Sequence, residues 1–204
     1  LKPWVGFWVK ANASCSVVYY PNKRLPQTKD TVVKQQAPAY EQAKADASSW
    51  RLRLMAYSDV SEIRDEYAFL GVAPSASDGE DANDLWKAPG LFGDLQVLVG
   101  EAKTNATMQQ GNNEQLAMKY YGASIAPPVK TATTWPVVVT QPAGVKGATL
   151  KWEAGGLPDG YEAYIIGGPA GPVNMRTAAA MPVAFSSPAK LTVVVGTPEY
   201  LAAY

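Results

Sequence analysis

The chain has 204 residues, with eighteen Lys plus Arg against eighteen Asp plus Glu, sixteen prolines, a single cysteine and no histidine. Balanced charge with no block of either sign argues against a nucleic-acid stripe or an acidic tail. The missing histidine excludes Ser-His-Asp and Cys-His catalysis, a lone Cys15 excludes internal disulfides, and no apolar run reaches the roughly 20 residues of a membrane-spanning helix.

The chain begins Leu1-Lys2-Pro3-Trp4, neither an initiator methionine nor a signal peptide, and so reads as a mature or excised fragment. Residues 5–10 and 14–20 alternate with period two around Ala11-Asn12-Ala13, which predicts a hairpin arm over residues 1–21, closed by Pro21. Cys15 within it reads as a small buried hydrophobe or, failing that, an intermolecular bridge. Residues 22–49 read as a polar linker with a short helix at 40–49, where Tyr40, Ala43 and Ala47 share a face and Glu41 reaches Lys44.

Trp50-Arg51-Leu52-Arg53-Leu54-Met55-Ala56-Tyr57 alternates cleanly, with Trp50, Leu52, Leu54 and Ala56 on one face. Its expected partner strand is 63–72. Residues 74–89 form an acidic loop, followed by strands at 95–99 and 116–121 within a β-rich region spanning 50–128. Pro127-Pro128 breaks the pattern. In 129–204, short strands are expected at 135–140, 148–153, 162–166, 173–176, 183–185 and 191–195, with Gly-rich turns between them and no helix. The fold class is therefore all-β: a β-sandwich, Ig-like or jelly-roll-like, as two domains or one shared core.

Asp78-Gly79-Glu80-Asp81-Ala82-Asn83-Asp84 packs four carboxylates into seven residues. Calcium favours such oxygen-rich loops and would use Asp78, Asp81 and Asp84, although the spacing is not that of an EF-hand; a solvated acidic turn is the competing reading, and no other cofactor is implied. A glycosidase needs two acids across a scissile bond, with Asp65, Glu66, Asp81 and Glu153 as candidates, but no spacing pairs any two, so a non-enzyme is expected. Of six tryptophans, Trp50 and Trp152 read as core, while Trp4, Trp8, Trp86 and Trp135 are less clearly forced inward. Trp86, beside the acidic loop, is the candidate ring for stacking on a polysaccharide. Asn12 and Asn105 head sequons for N-linked sugar.

Three stretches carry a family resemblance. Pro3-Trp4-Val5-Gly6-Phe7-Trp8-Val9 resembles a hairpin of large secreted proteins of Bacteroidota-like bacteria. The run Trp50-Arg51-Leu52-Arg53-Leu54, Asp65, Leu70-Gly71-Val72 and Ala76-Ser77-Asp78-Gly79-Glu80-Asp81 is similar to the segment that follows it there. Leu150-Lys151-Trp152, Leu157-Pro158, Asn174-Met175-Arg176-Thr177 and Val195-Gly196-Thr197-Pro198-Glu199-Tyr200 resemble the segment that precedes a carboxy-terminal sorting domain. Gly167-Gly168 and Asn174 depart from that pattern, where acids are usual. The resemblance implies an exported, β-rich cell-surface module with no defined reaction. The function expected is thus a non-enzymatic extracellular structural module that self-associates through strand edges or its amino-terminal arm into a filament or surface layer; a carbohydrate-binding accessory domain is the alternative.

Overall fold

The alternation of Trp50-Arg51-Leu52-Arg53-Leu54 produces the strand it predicts, β1 (Trp50–Ser58), with Trp50, Leu52 and Leu54 buried and the arginines half-exposed. The computed structural model describes residues 48–60, 62–87, 95–101, 120–128 and 131–202, all within the unit Gln42–Tyr204. The expected arm, and the expected linker and helix apart from Ser48 and Ser49, lie outside the described residues, as do Cys15, Trp4, Trp8, Asn12 and Asn105. β2 (Arg64–Val72) returns antiparallel to β1. Leu54 pairs with Ala68 but Ala56 with Asp65, so Glu66 and Tyr67 together oppose Met55 in a β-bulge.

The remaining strands are β3 (Leu85–Trp86), β4 (Val97–Glu101), β5 (Tyr120–Ala126), β6 (Ala132–Val139), β7 (Gly147–Glu153), β8 (Glu162–Ile166), β9 (Val173–Asn174), β10 (Ala180–Ala184) and β11 (Ala189–Gly196). Those of the second half fall within a few residues of their expected bounds. Three expectations need correction. The acidic stretch 74–89 is not all loop, because β3 pairs with β5 inside it. The strand expected at 116–121 extends instead to Ala126, where Pro127 ends it. The second half does contain a helix, the single turn α1 (Pro198–Leu201), which Pro198 starts and Leu201 anchors by burial. Among the described residues no helix is long and apolar enough to cross a membrane.

All eleven strands of the described residues belong to one sheet, with the path β10-β7-β1-β2-β5-β4-β6-β11-β8-β9 and β3 paired to β5. The architecture is all-β, a large sheet curled nearly into a barrel. Its two ends, β9 and β10, are consecutive in sequence, and residues 175–179 join them. Trp152 closes that seam: its indole Nε1 donates to the carbonyls of Met175 at 2.8 Å and Ala178 at 2.7 Å. The Arg176 guanidinium reaches the carbonyls of Pro158 and Tyr161 at 2.7 and 2.8 Å.

One hydrophobic core runs through the curled sheet, combining Leu52, Leu70 and Val97 with Val137, Leu150 and Val193. Trp135, which its sequence neighbours leave less clearly forced inward, belongs to it. It is 3% exposed and meets Trp50 edge-to-face at 5.7 Å, because it shares the inner face of β6 with Val137 and Val139.

An ion pair pins the strands around β5. That strand pairs in parallel with β2 through residues 123–126 and with β3 through 121–123; Ala123 pairs with both, so β2 and β3 lie on opposite flanks of β5. The inward Asp65 of β2 accepts from Lys87 Nζ at 2.6 Å, from the Val97 amide at 2.7 Å and from the Tyr67 amide at 3.1 Å. Lys87 also donates to the Tyr67 carbonyl at 3.0 Å. One carboxylate therefore ties β2, the end of β3 and β4 together, and satisfies the buried charge that Lys87 brings.

Candidate functional site

The acidic loop is built by its own carboxylates. Asp81 accepts from the amides of Ser77 and Asn83, both at 2.6 Å, and from the Asn83 side-chain amide at 2.9 Å. Burial works against its charge, but these hydrogen bonds from Asn83 and Ser77 outweigh it and hold the carboxyl below the usual aspartate value. Asp84, 7% exposed, accepts from the Asp81 amide at 3.2 Å and from the Ile125 amide at 2.9 Å, which fastens the loop to β5. Its pKa is raised, chiefly by burial and further by Asp81 and Glu80 nearby. Trp86 donates from Nε1 to Glu80 at 2.7 Å and packs its ring on Tyr121 at 4.9 Å. Burial, then the charges of Glu80, Asp84 and Asp81, push the Tyr121 phenol up to about 12.

Beside this loop the sheet opens. β4 pairs with β6 only from Val97↔Val139 to Val99↔Val137. Gly100 then turns the chain away at φ 65°, and Glu101 pairs with Tyr120 of β5 instead. A side chain at Gly100 would strike Ser124 Oγ at 2.5 Å, so the departure requires glycine twice, for its dihedral and for its closeness. Pro136, with no N–H, stands where the ladder would have continued. The result is a cleft of about 250 Å³ between β6, the carboxyl end of β5, the end of β4 and the acidic loop.

The register of β6 decides which of its backbone groups meet that cleft. Thr197 N donates to Thr131 O at 3.0 Å, extending the β11 ladder, whereas Thr140 N donates to Gln96 O on the opposite flank. Antiparallel alternation therefore directs the odd-numbered peptide groups of β6 to β11 and the even-numbered ones, Ala132 and Thr134, to the open side. Thr133 lines the cleft, and its Oγ1 is buried with no hydrogen-bond partner among the described residues.

No family model, curated protein or solved structure matches this chain.

The residues singled out from sequence divide among separate places. Asp78 and Asp84 line the cleft; Asp81 holds the loop behind it. Among the described residues no three carboxylate or cysteine side chains form a group that would hold a metal ion. Asp65 points into the fold, while Glu66 accepts from the Tyr57 hydroxyl at 2.7 Å and Glu153 pairs with Arg53 at 3.5 Å, so these acids are not gathered on one cleft. Trp86 is half-buried against Tyr121 rather than a free ring; among the described residues the most exposed aromatic is Tyr67, 71% exposed, with the Arg53 guanidinium 5.9 Å from its ring centre. Sequence reasoning missed Glu101, Tyr121, Ser124 and the open edge of β6. A signal for the edge was present in Pro136, since a proline inside a strand pattern points to a flank without a partner.

Proposed function

We propose that this chain is a structural module that works outside the cell by accepting an extended segment onto β6, with a second copy of the chain as the donor. The observation that carries the reading is the flank of residues 132–136, unshared among the described residues, beside a preformed cleft. An edge of this kind offers N–H and C=O groups in the strand-addition geometry. Among the described residues the other edges are blunted: β10 carries Pro182, and β9 and β3 are each two residues long. The open stretch of β6, Ala132-Thr133-Thr134-Trp135, is uncharged and mostly β-branched or aromatic, which suits pairing. The low charge content and the resemblance to secreted modules support an extracellular setting.

Sedimentation of the full chain over a concentration series tests this. Association is expected, and Thr134→Pro, which removes the outward N–H while leaving the β11 ladder, should abolish it without altering the circular-dichroism spectrum. A wild-type chain that remains monomeric at every concentration refutes the proposal.

A second reading, carbohydrate binding, rests on Tyr67 and Arg53 on the exposed face of β1 and β2, where a ring and a cation together suit an anionic sugar. Retention on a glycan array that is lost in Tyr67→Ala would favour it; an array without signal would dismiss it.

A further inference from the structure

The Asp65–Lys87 pair is built as the reactants of a condensation. Nζ stands 2.6 Å from Oδ2, with side-chain exposures of 11% for Lys87 and 9% for Asp65. That is shorter than the roughly 2.7–2.9 Å of an ordinary ammonium–carboxylate contact. The surroundings also fit the amide that the two groups would form. Oδ1 accepts from the Tyr67 amide at 3.1 Å, and Nζ donates to the Tyr67 carbonyl at 3.0 Å. One residue therefore already supplies the donor that an amide oxygen needs and the acceptor that an amide N–H needs. Oδ2, the oxygen facing Nζ, is held by the Val97 amide at 2.7 Å. With the Tyr67 amide, this gives two backbone N–H groups on the carboxyl, where they stabilise the negative charge of a tetrahedral intermediate. The pair lines a cavity of about 390 Å³ together with Leu95 and Gln96, which gives a released water a way out.

We propose that Asp65 and Lys87 condense into an intramolecular isopeptide bond, with the ion pair as its precursor. A proton passes from Nζ to Oδ2 along their contact, the freed lone pair of Nζ forms a bond to Cγ, and a second proton follows to Oδ2. The Cγ–Oδ2 bond then breaks and Oδ2 leaves as water, while Oδ1 and the last Nζ proton stay with the amide. One ammonium and one carboxylate give one neutral amide and one water, so no oxidant, reductant or further reactant is needed. Two effects favour the reaction. Groups held in reacting geometry behave as if at about 10⁵–10⁸ M. Condensation also replaces two buried charges, each costly to desolvate, by a neutral group that Tyr67 satisfies on both sides. The link joins β2 to the end of β3 and closes the loop of residues 65–87, restricting the unfolded chain as a disulfide does, in a protein whose single cysteine excludes an internal disulfide. It stands independently of strand addition.

Intact-mass spectrometry of the full chain in denaturant, followed by tryptic mapping, provides the test. The wild-type chain should weigh one water less than its sequence. Residues 65–87 contain no lysine or arginine before Lys87, and the next after it is Lys103. Trypsin does not cleave after an acylated lysine, so the digest should give one peptide, 65–103, lighter by one water, in place of 65–87 and 88–103. Lys87→Arg keeps the buried cation but offers a guanidinium, a much poorer nucleophile, and should show the full sequence mass. A wild-type chain that keeps its full mass after prolonged incubation at neutral pH overturns the proposal. A water loss that leaves Lys87 cleavable, as a succinimide at Asp78-Gly79 would, or one that persists in Lys87→Arg, places the chemistry elsewhere and also overturns it.

Discussion

Replacing Asp65 by alanine removes the partner of a buried cation and the acceptor of two backbone amides in one step. Lys87 Nζ lies 2.6 Å from Asp65, with side-chain exposures of 11% and 9%, so water does little to compensate either charge once the other is gone. Breaking such a pair costs about 3–5 kcal/mol. For a domain of this size each kcal/mol moves the midpoint by roughly 2–4 °C, so Asp65→Ala should lower Tm by roughly 6–20 °C in thermal unfolding followed by far-ultraviolet circular dichroism. The neighbouring Arg64–Glu66 pair, 3.9 Å apart and much more exposed, serves as the control: Arg64→Ala should stay within about 0.5 kcal/mol of wild type. The double variant Asp65→Ala with Lys87→Met removes both charges and should recover part of the loss, because no uncompensated ion is left inside. A loss below about 1 kcal/mol in Asp65→Ala, or a double variant no more stable than the single one, would refute the view that this carboxylate is needed chiefly to balance a buried cation.

Three further outcomes follow from the packing and the charges. Tyr121 titrates near 12 in the folded chain against an ordinary value of 10.0. The folded pKa is raised, so its contribution to stability is complete below pH 10.0 and is lost as pH rises toward about 12; denaturant midpoints across that window, compared with Tyr121→Phe, should show wild type losing the additional stability. On the acid side Asp81 and Asp84 act in opposition: the lowered pKa of Asp81 gives stability that is lost as pH falls through its folded value, while the raised pKa of Asp84 favours the folded form on protonation. Asp81→Asn should therefore flatten the acid limb of the stability profile, and an unchanged limb would contradict the hydrogen-bonding account. Gly100→Ala combines a left-handed dihedral with a 2.5 Å approach to Ser124 Oγ and should cost about 2–4 kcal/mol by urea denaturation, whereas Gly144→Ala, also at positive φ but in open space, should cost only the ~1–2 kcal/mol of the dihedral.

The strands themselves were written locally. The alternation of Trp50, Leu52 and Leu54 against Arg51 and Arg53 fixes both the period and the buried face of β1, since successive side chains of a strand must take opposite sides. The same logic found β2, β8 and β11 and placed Trp50 and Trp152 in the core. It failed at Trp135, whose flanking Thr134 and Pro136 are exposed and whose inner-face companions, Val137 and Val139, continue into a fully buried run that masks the alternation. It also failed at Lys87, a charge that nothing nearby in sequence marks as buried; its partner lies on β2, more than twenty residues earlier.

What the sequence determined alone was the all-β class, the strands and the acidity of one loop, because pleat periodicity, turn residues and charge are properties of neighbouring residues. The tertiary structure decided where those acids point: Asp65 toward Lys87, Asp81 into its own loop, and Asp84, Asp78 and Glu101 onto a cleft beside β6. It also decided which strand flank stays unshared among the described residues. Both outcomes depend on strand order, set by how the whole sheet buries its apolar face, and strand order joins residues such as Glu101 and Thr133 that no local pattern connects.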